Sequence, residues 1–257
     1  MNLAIRGVSK QFGGLQALKN VTMSLESGML AALIGPNGAG KTTLLNIISG
    51  LERADAGEIS SDGMRLSGLP PHKIAQKGIA RTFQILRGFN QLSVIENVMI
   101  GQHVRTRAGI LSCLCSHPAS RDEDRKAYEF GAQILKSLGL DAYAHRTLSE
   151  LPQGIRRLIE LARAIASEPK ILLLDEPSSG LNPAEVDALH EALKLIQAQG
   201  VTMLLVEHNM RLVVGIAEKV TVLNFGEKIA EADPRAIIND QAVITAYLGS
   251  RFGTART

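Results

Sequence analysis

GPNGAGKT, residues 35 to 42, stands between the apolar run MLAALI and the helix-forming run KTTLLNIISG. The pattern G-x-x-x-x-G-K-[ST] needs a strand to deliver the chain, a tight loop, and a helix to carry it away. Glycines let backbone N–H groups curl around an anion without Cβ obstruction. The helix that opens near Lys41 adds its first-turn amides and the positive end of its dipole. Lys41 brings a point charge suited to β and γ phosphates, and Thr42 a hydroxyl suited to Mg²⁺. The candidate nucleotide contacts are therefore Gly35, Pro36, Asn37, Gly38, Ala39, Gly40, Lys41, Thr42 and Thr43. A chain built on this unit belongs to the α/β class.

The second half of such a site is an acid at the end of another buried strand, and ILLLDEP supplies Asp175 and Glu176. Asp175 is placed to hold Mg²⁺, directly or through water. Glu176, next along and pointing elsewhere, can take a proton from an attacking water. KILLLDE and VTMLLVEH are near-continuous apolar runs, as expected of parallel strands covered on both faces. Between them PAEVDALHEALKLIQAQG is helical, with Pro183 at its start and Gly200 at its stop. KVTVLNFGEKIAEA reads as a β-hairpin. The first third adds strands in LAIRGVS, VTMSLES and MLAALIG, a short strand and turn in GEISSDG, a proline-opened helix in PHKIAQKG, and a strand in IARTFQ.

From about Gly88 to Arg163 the texture is helical. SVIENVMIGQHV opens on a capping box, Ser93 with Glu96 three residues on. RDEDRKAYEFGAQILKSLGL is charged on one face and carries Ile134, Leu135 and Leu138 on the other. Residues 105 to 120 between them read as a surface loop. Pro152 and Gly154 then precede a helix expected to bury Ile155, Leu158, Ile159, Ala162 and Ile165, with Arg156 and Glu160 paired across one turn.

At 257 residues the chain has room for one large domain or two small ones. Its 45% apolar and 21% charged residues are ordinary for a globular protein, and a net charge of +3 is too small to argue for nucleic acid. MNLAIRGVSKQFGG has no apolar core or cleavage site of a secretion signal, and no apolar run approaches the ~18 residues that cross a bilayer. Cys113 and Cys115 read as reduced thiols on a cytosolic helix or loop. A metal site recruiting His103 or His117 would lack four-ligand spacing.

In order and spacing these motifs resemble the nucleotide-binding subunit of ATP-binding cassette (ABC) transporters, from residue 3 to about 249. The resemblance implies a P-loop NTPase fold in one domain, residues 1–249. Residues 1–87 and 164–249 would form an α/β core with an antiparallel β-subdomain. Residues 88–163 would be an inserted α-helical subdomain, and 250–257 a disordered tail. Gln84 in RTFQ matches the family's Q-loop glutamine, which contacts Mg²⁺ and the attacking water. His208 in LLVEHN matches the switch histidine at the γ-phosphate, and Phe12 falls where the family stacks an aromatic on adenine. The implied activity is ATP hydrolysis. Lys41, Glu176 and His208 would be catalytic, and Thr42, Gln84 and Asp175 would attend Mg²⁺.

The family signature, usually Leu-Ser-Gly-Gly-Gln, stands here as Leu151-Pro152-Gln153-Gly154-Ile155. Two subunits of the family pair head to tail, so Gln153 and Gly154 would reach the ATP held by the partner. Pro152 replaces the serine whose hydroxyl contacts the γ-phosphate, and Asn182 replaces an aspartate common after the catalytic glutamate. Either the backbone amides suffice, or this signature serves a degenerate site in a heterodimer.

Within the family, RTFQILRGFNQLSVIENVMIG, SGLNPAEV, VEHNMRLVVGIAEKVTVLNFGEKIAEA and ITAYLG resemble the larger ATPase subunit of branched-chain or hydrophobic amino-acid importers. That implies a second ABC ATPase, two membrane permeases and, indirectly, a periplasmic solute-binding protein as partners, and no nucleic acid. It implies a cytoplasmic chain, peripheral on the inner face of the membrane. Lipid or lipopolysaccharide exporters and urea or amide importers share this layout. Non-transport ABC proteins usually carry two cassettes or a long coiled coil, which this sequence lacks.

Overall fold

Leu3, Ile5 and Val8 give strand β1 (Leu3–Phe12) one buried face, and a turn at Gly13 and Gly14 returns the chain as β2 (Leu15–Leu25). The structure, a computed structural model, describes residues 1–82, 89–102 and 118–252. Its residues fall into two compact units. The first takes Met1–Arg81, Lys170–Ser179 and the chain from Val186 onward, and the second takes Thr82–Pro169 and Gly180–Glu185.

The first unit holds two sheets. One is antiparallel, in the order β2-β1-β4-β5, with β4 at Ala56–Ser61 and β5 at Met64–Arg65. The other runs β10-β9-β3-β8-β7-β6. Here β3 (Leu30–Ile34), β6 (Ile79–Arg81), β7 (Ile171–Asp175), β8 (Thr202–Val206) and β9 (Lys219–Asn224) are parallel, and β10 (Glu227–Ala232) folds back antiparallel on β9. Every residue of β3, β7 and β8 is buried, which is why these strands read as unbroken apolar runs. Leu3 and Ile5 of β1, Leu33 of β3, Leu173 of β7, and Leu44 and Ile48 of helix α1 (Lys41–Ile48) share one core. Each such side chain contributes about 1.5–3 kcal/mol by leaving water.

Strand β2 begins six residues before the strand expected at Val21. Its buried positions are Leu18, Val21, Met23 and Leu25, and the three-residue step is made by Asn20 in the left-handed region at φ 51°. That bulge hides the two-residue period on which the expectation rested. Helix α2 (Pro71–Gln76) opens on proline as the sequence suggests.

The second unit contains α3 (Val94–Gly101), α4 (Pro118–Ser137) and α5 (Gln153–Ile165). Ser93 caps α3 through the full capping box with Glu96. Gly101 lets α3 approach α5 closely, since a Cβ there would collide with the Arg163 carbonyl. In α5 the buried residues are Gly154, Leu158, Ile159, Leu161 and Ala162, while Ile155 and Ile165 are only partly covered. The expected Arg156–Glu160 pair does not form. Arg157 reaches Glu160 at 2.9 Å, and Arg156 instead donates to the Leu151 carbonyl at 2.6 Å, capping the turn that enters the helix. Residues 103–117, with Cys113 and Cys115, lie outside the described residues, as does Gln84. Helix α4 starts at Pro118, inside the expected loop.

Helix α6 (Pro183–Ala198) buries Val186, Leu189, Leu193 and Ile196, one stripe at helical spacing. Helices α7 (Met210–Ile216), α8 (Pro234–Ile237) and α9 (Gln241–Phe252) complete the first unit. Asp240 accepts the N–H groups of Ala242 and Val243 and starts α9. The helix then continues through Phe252, so residues 250–252 of the tail expected to be disordered are helical. Among the described residues no helix is long and apolar enough to cross a membrane.

Candidate active site

Between β3 and α1 the chain passes too close to its neighbours for a side chain. At Gly40, with φ 101°, a Cβ would lie 2.5 Å from the Ala17 carbonyl oxygen and 2.7 Å from Leu18 Cδ2. At Gly35, with φ 148°, it would collide with the Leu223 carbonyl. Asn37 and Gly38 are exposed at the loop tip, Ala39 is buried beneath it, and Thr42 is exposed on the first turn of α1. Gly40 offers α1 no side-chain cap, so the helix presents its first-turn donors to whatever anion the loop receives.

Lys41 is buried, and its ammonium donates to the carbonyls of Gly35 (2.7 Å) and Pro36 (3.0 Å). Burial holds its pKa below the usual lysine range, against the opposing pull of Glu176 and then Asp175. Asp175 ends β7, Glu176 follows it, and the two diverge. Asp175 Oδ2 accepts from Arg81 at 2.8 Å, and both side chains are 8% exposed. Arg81 also donates to Asn46 Oδ1 (2.7 Å) and Ser49 Oγ (3.1 Å), linking β6, β7 and α1 through one guanidinium. Glu176 turns the other way because its φ is 46°. Left-handed backbone costs a non-glycine residue about 1–2 kcal/mol. Its N–H donates to the Val206 carbonyl at 2.9 Å, and its carboxylate lies 3.9 Å from His208 Nδ1. Strain of this kind, at a carboxylate facing an imidazole, is what a site for proton transfer would retain.

Two side chains not singled out in the sequence join this site. Burial pushes the phenol of Tyr247, on α9, above the usual tyrosine range, and the nearby Gly35 backbone opposes that rise. Arg81 is the other. Arg81→Met is expected to destabilise the fold by about 3–5 kcal/mol, because it leaves the Asp175 carboxylate buried without its partner. Urea denaturation with an unchanged slope would measure this.

Residues 18–179 match the family model described as ABC transporter, and residues 227–253 match the model described as branched-chain amino acid ATP-binding cassette transporter. The chain belongs to the ABC transporter family. It is 41% identical over 248 residues to the high-affinity branched-chain amino acid transport ATP-binding protein BraF of Pseudomonas aeruginosa, covering 96% of this chain and 97% of that one. LivG of Salmonella typhimurium is 42% identical with the same coverage. LivG of Archaeoglobus fulgidus, a probable branched-chain amino acid transport ATP-binding protein, is 34% identical over 97% of this chain and 96% of its own. Among solved structures, a nucleotide-free ATP-binding cassette superimposes with a TM-score of 0.85 at 29% identity, covering 96% of this chain and 99% of that one. A dimeric bacterial ABC transporter cassette gives a TM-score of 0.76 at 25% identity, covering 91% of this chain and 99% of that one. The fold is that of the P-loop ABC ATPases.

Other expected cassette residues fall on both units. Phe12 ends β1, is 43% exposed and carries the Lys10 ammonium 5.1 Å from its ring centre, so it is not a core residue. Pro152 is the N-cap of α5, and Gln153 and Gly154 form its first turn. Both face the segment 180–185 of their own unit. A Cβ on Gly154 would lie 2.5 Å from Glu185 Oε1, and one on Gly180 would lie 2.6 Å from Gln153 Nε2. Asn182 exchanges hydrogen bonds with Glu185 across the start of α6, at 2.9 and 3.0 Å. Asparagine caps a helix as well as aspartate does, which accounts for the substitution noted in the sequence.

Proposed function

We propose that this chain is the ATP-hydrolysing subunit of an importer of branched-chain or other hydrophobic amino acids. The observation that carries the catalytic part is the Glu176–His208 pair, 3.9 Å apart, in the same unit as a loop whose glycines clear a cradle for phosphates. The importer part is supported by the 41–42% identity to BraF and LivG over 96% of the chain, and by the separate match at residues 227–253.

The triphosphate would lie along Gly35 to Thr43, drawing the Lys41 ammonium off the Gly35 and Pro36 carbonyls. A buried carboxylate at a strand end and a hydroxyl on the first turn of a helix are hard-oxygen donors. They suit Mg²⁺, which Thr42, Asp175 and Gln84 would hold and which would neutralise charge on the phosphate oxygens. Glu176 accepts the proton of the attacking water, and His208 steadies that carboxylate and donates to the γ-phosphate. Phe12 offers its ring to the adenine. Across a head-to-tail pair, the amides of Gln153 and Gly154 would cap the nucleotide bound by the partner, without the hydroxyl that Pro152 removes. The partners are a second ABC ATPase, two membrane permeases that hold this chain at the cytoplasmic face, and a solute-binding protein beyond them.

The test is reconstitution of the chain with its membrane subunits in vesicles. Leucine, isoleucine or valine with the binding protein should raise phosphate release and drive uptake of the labelled amino acid. Stimulation by urea, or by a lipid in place of any amino acid, would overturn the importer assignment.

A further inference from the structure

Glu207 is fully buried directly after β8, and its carboxylate is shared between two loops. Oε1 accepts the Ser178 N–H at 2.8 Å, two residues beyond Glu176. Oε2 accepts the N–H groups of His208 (3.0 Å) and Asn209 (3.2 Å). Asn209 in turn caps α7 with its side chain. An ionised carboxylate in an apolar interior is costly, and three N–H donors offset that cost here. An apolar residue would fill the same space without any such need. What an apolar residue lacks is two acceptor oxygens held at a fixed separation.

We infer that Glu207 is a positioning residue. One oxygen anchors the loop that carries Glu176, and the other anchors the loop that carries His208, so one carboxylate sets the distance between the general base and the imidazole. The backbone bond from Glu176 N–H to Val206 carbonyl fixes the root of the first loop, and Glu207 fixes its next turn. The inference rests on Glu176 and His208 acting as proposed above.

The test uses the full chain assembled with its membrane subunits. Glu207→Gln keeps the shape and one acceptor, and turns an NH₂ group toward N–H donors. Its kcat should fall about 10- to 100-fold while the affinity for a non-hydrolysable ATP analogue stays the same. Glu207→Asp keeps both oxygens on a shorter arm and should recover part of that loss. In a His208→Ala background, Glu207→Gln should add little, because the pair whose separation it sets is already broken. An equal additional loss in that background would overturn the inference. So would a parental kcat in Glu207→Gln, or a fall in analogue affinity that matches the fall in kcat. If Glu207→Gln does not fold, Glu207→Asp decides alone: parental kcat overturns the inference, and a fall confined to kcat that vanishes in the His208→Ala background supports it. Parental turnover in both Glu176→Gln and His208→Ala would instead remove the proposed catalytic pair itself.

Discussion

Glu176→Gln is expected to lower ATP turnover about 10²–10⁴-fold and to leave nucleotide affinity intact. The amide has nearly the shape of the carboxylate but takes up no proton at neutral pH, so water held at the γ-phosphate is not activated. Nothing in the geometry suggests a cost to folding. Glu176 adopts φ 46° whatever its side chain, and the bond that fixes it there runs from its backbone N–H to Val206. Glu176 also attracts the buried Lys41 ammonium, and neutralising it removes part of the support for that charge. Asp175 and the arriving phosphates remain to hold it. With ATP bound and hydrolysis blocked, the closed pair of cassettes should accumulate. Size-exclusion chromatography with ATP should then show a dimer that ADP does not produce. Phosphate release at the parental rate would show that another group takes the proton.

The phosphate loop was legible in the sequence because its requirements are local: glycines, a lysine and a hydroxyl between a strand and a helix. The strands β3, β7 and β8 were legible for a related reason, since burial on both faces leaves only apolar residues to read. What stayed hidden depends on the fold. Arg81 meets Asp175 only because β6 pairs in parallel with β7, and no spacing along the chain foretells a partner 94 positions away. Glu207 had a faint signal, a carboxylate at the end of a strand with every residue buried, but its acceptor role needs the Ser178 loop brought beside it. Arg156 and Glu160 had ideal helical spacing, and the prediction failed because carbonyls freed by the turn at Leu151 competed for the guanidinium. Tyr247 is reached only through the return of α9 to the phosphate loop.

Gly35→Ala should remove nucleotide binding and cost stability, whereas Gly38→Ala, three residues along the same loop, should do little beyond straining the backbone. Both glycines have positive φ, 148° and 79°, so conformational strain alone does not separate them. Space does. A Cβ at Gly38 has nothing within 4 Å, while one at Gly35 collides with the Leu223 backbone carbonyl and would also touch Ala39 Cβ at 3.2 Å. Leu223 lies in β9, paired in parallel with β3, so neither side can yield without disturbing the sheet. Left-handed strain accounts for about 1–2 kcal/mol in Gly38→Ala, and forcing a methyl into packed backbone adds about 1–3 kcal/mol in Gly35→Ala. The second change also moves the carbonyl on which Lys41 rests. Losing two charge-assisted hydrogen bonds to phosphate, at about 1.5–3 kcal/mol each, weakens ATP binding by about a hundredfold or more. Thermal melting of the two variants with and without ATP measures both quantities together. The parent and Gly38→Ala should gain in midpoint when ATP is added, and Gly35→Ala should melt lower and gain nothing. If Gly35→Ala were stabilised by ATP as the parent is, the close approach of this loop to β9 would not be what shapes the phosphate cradle.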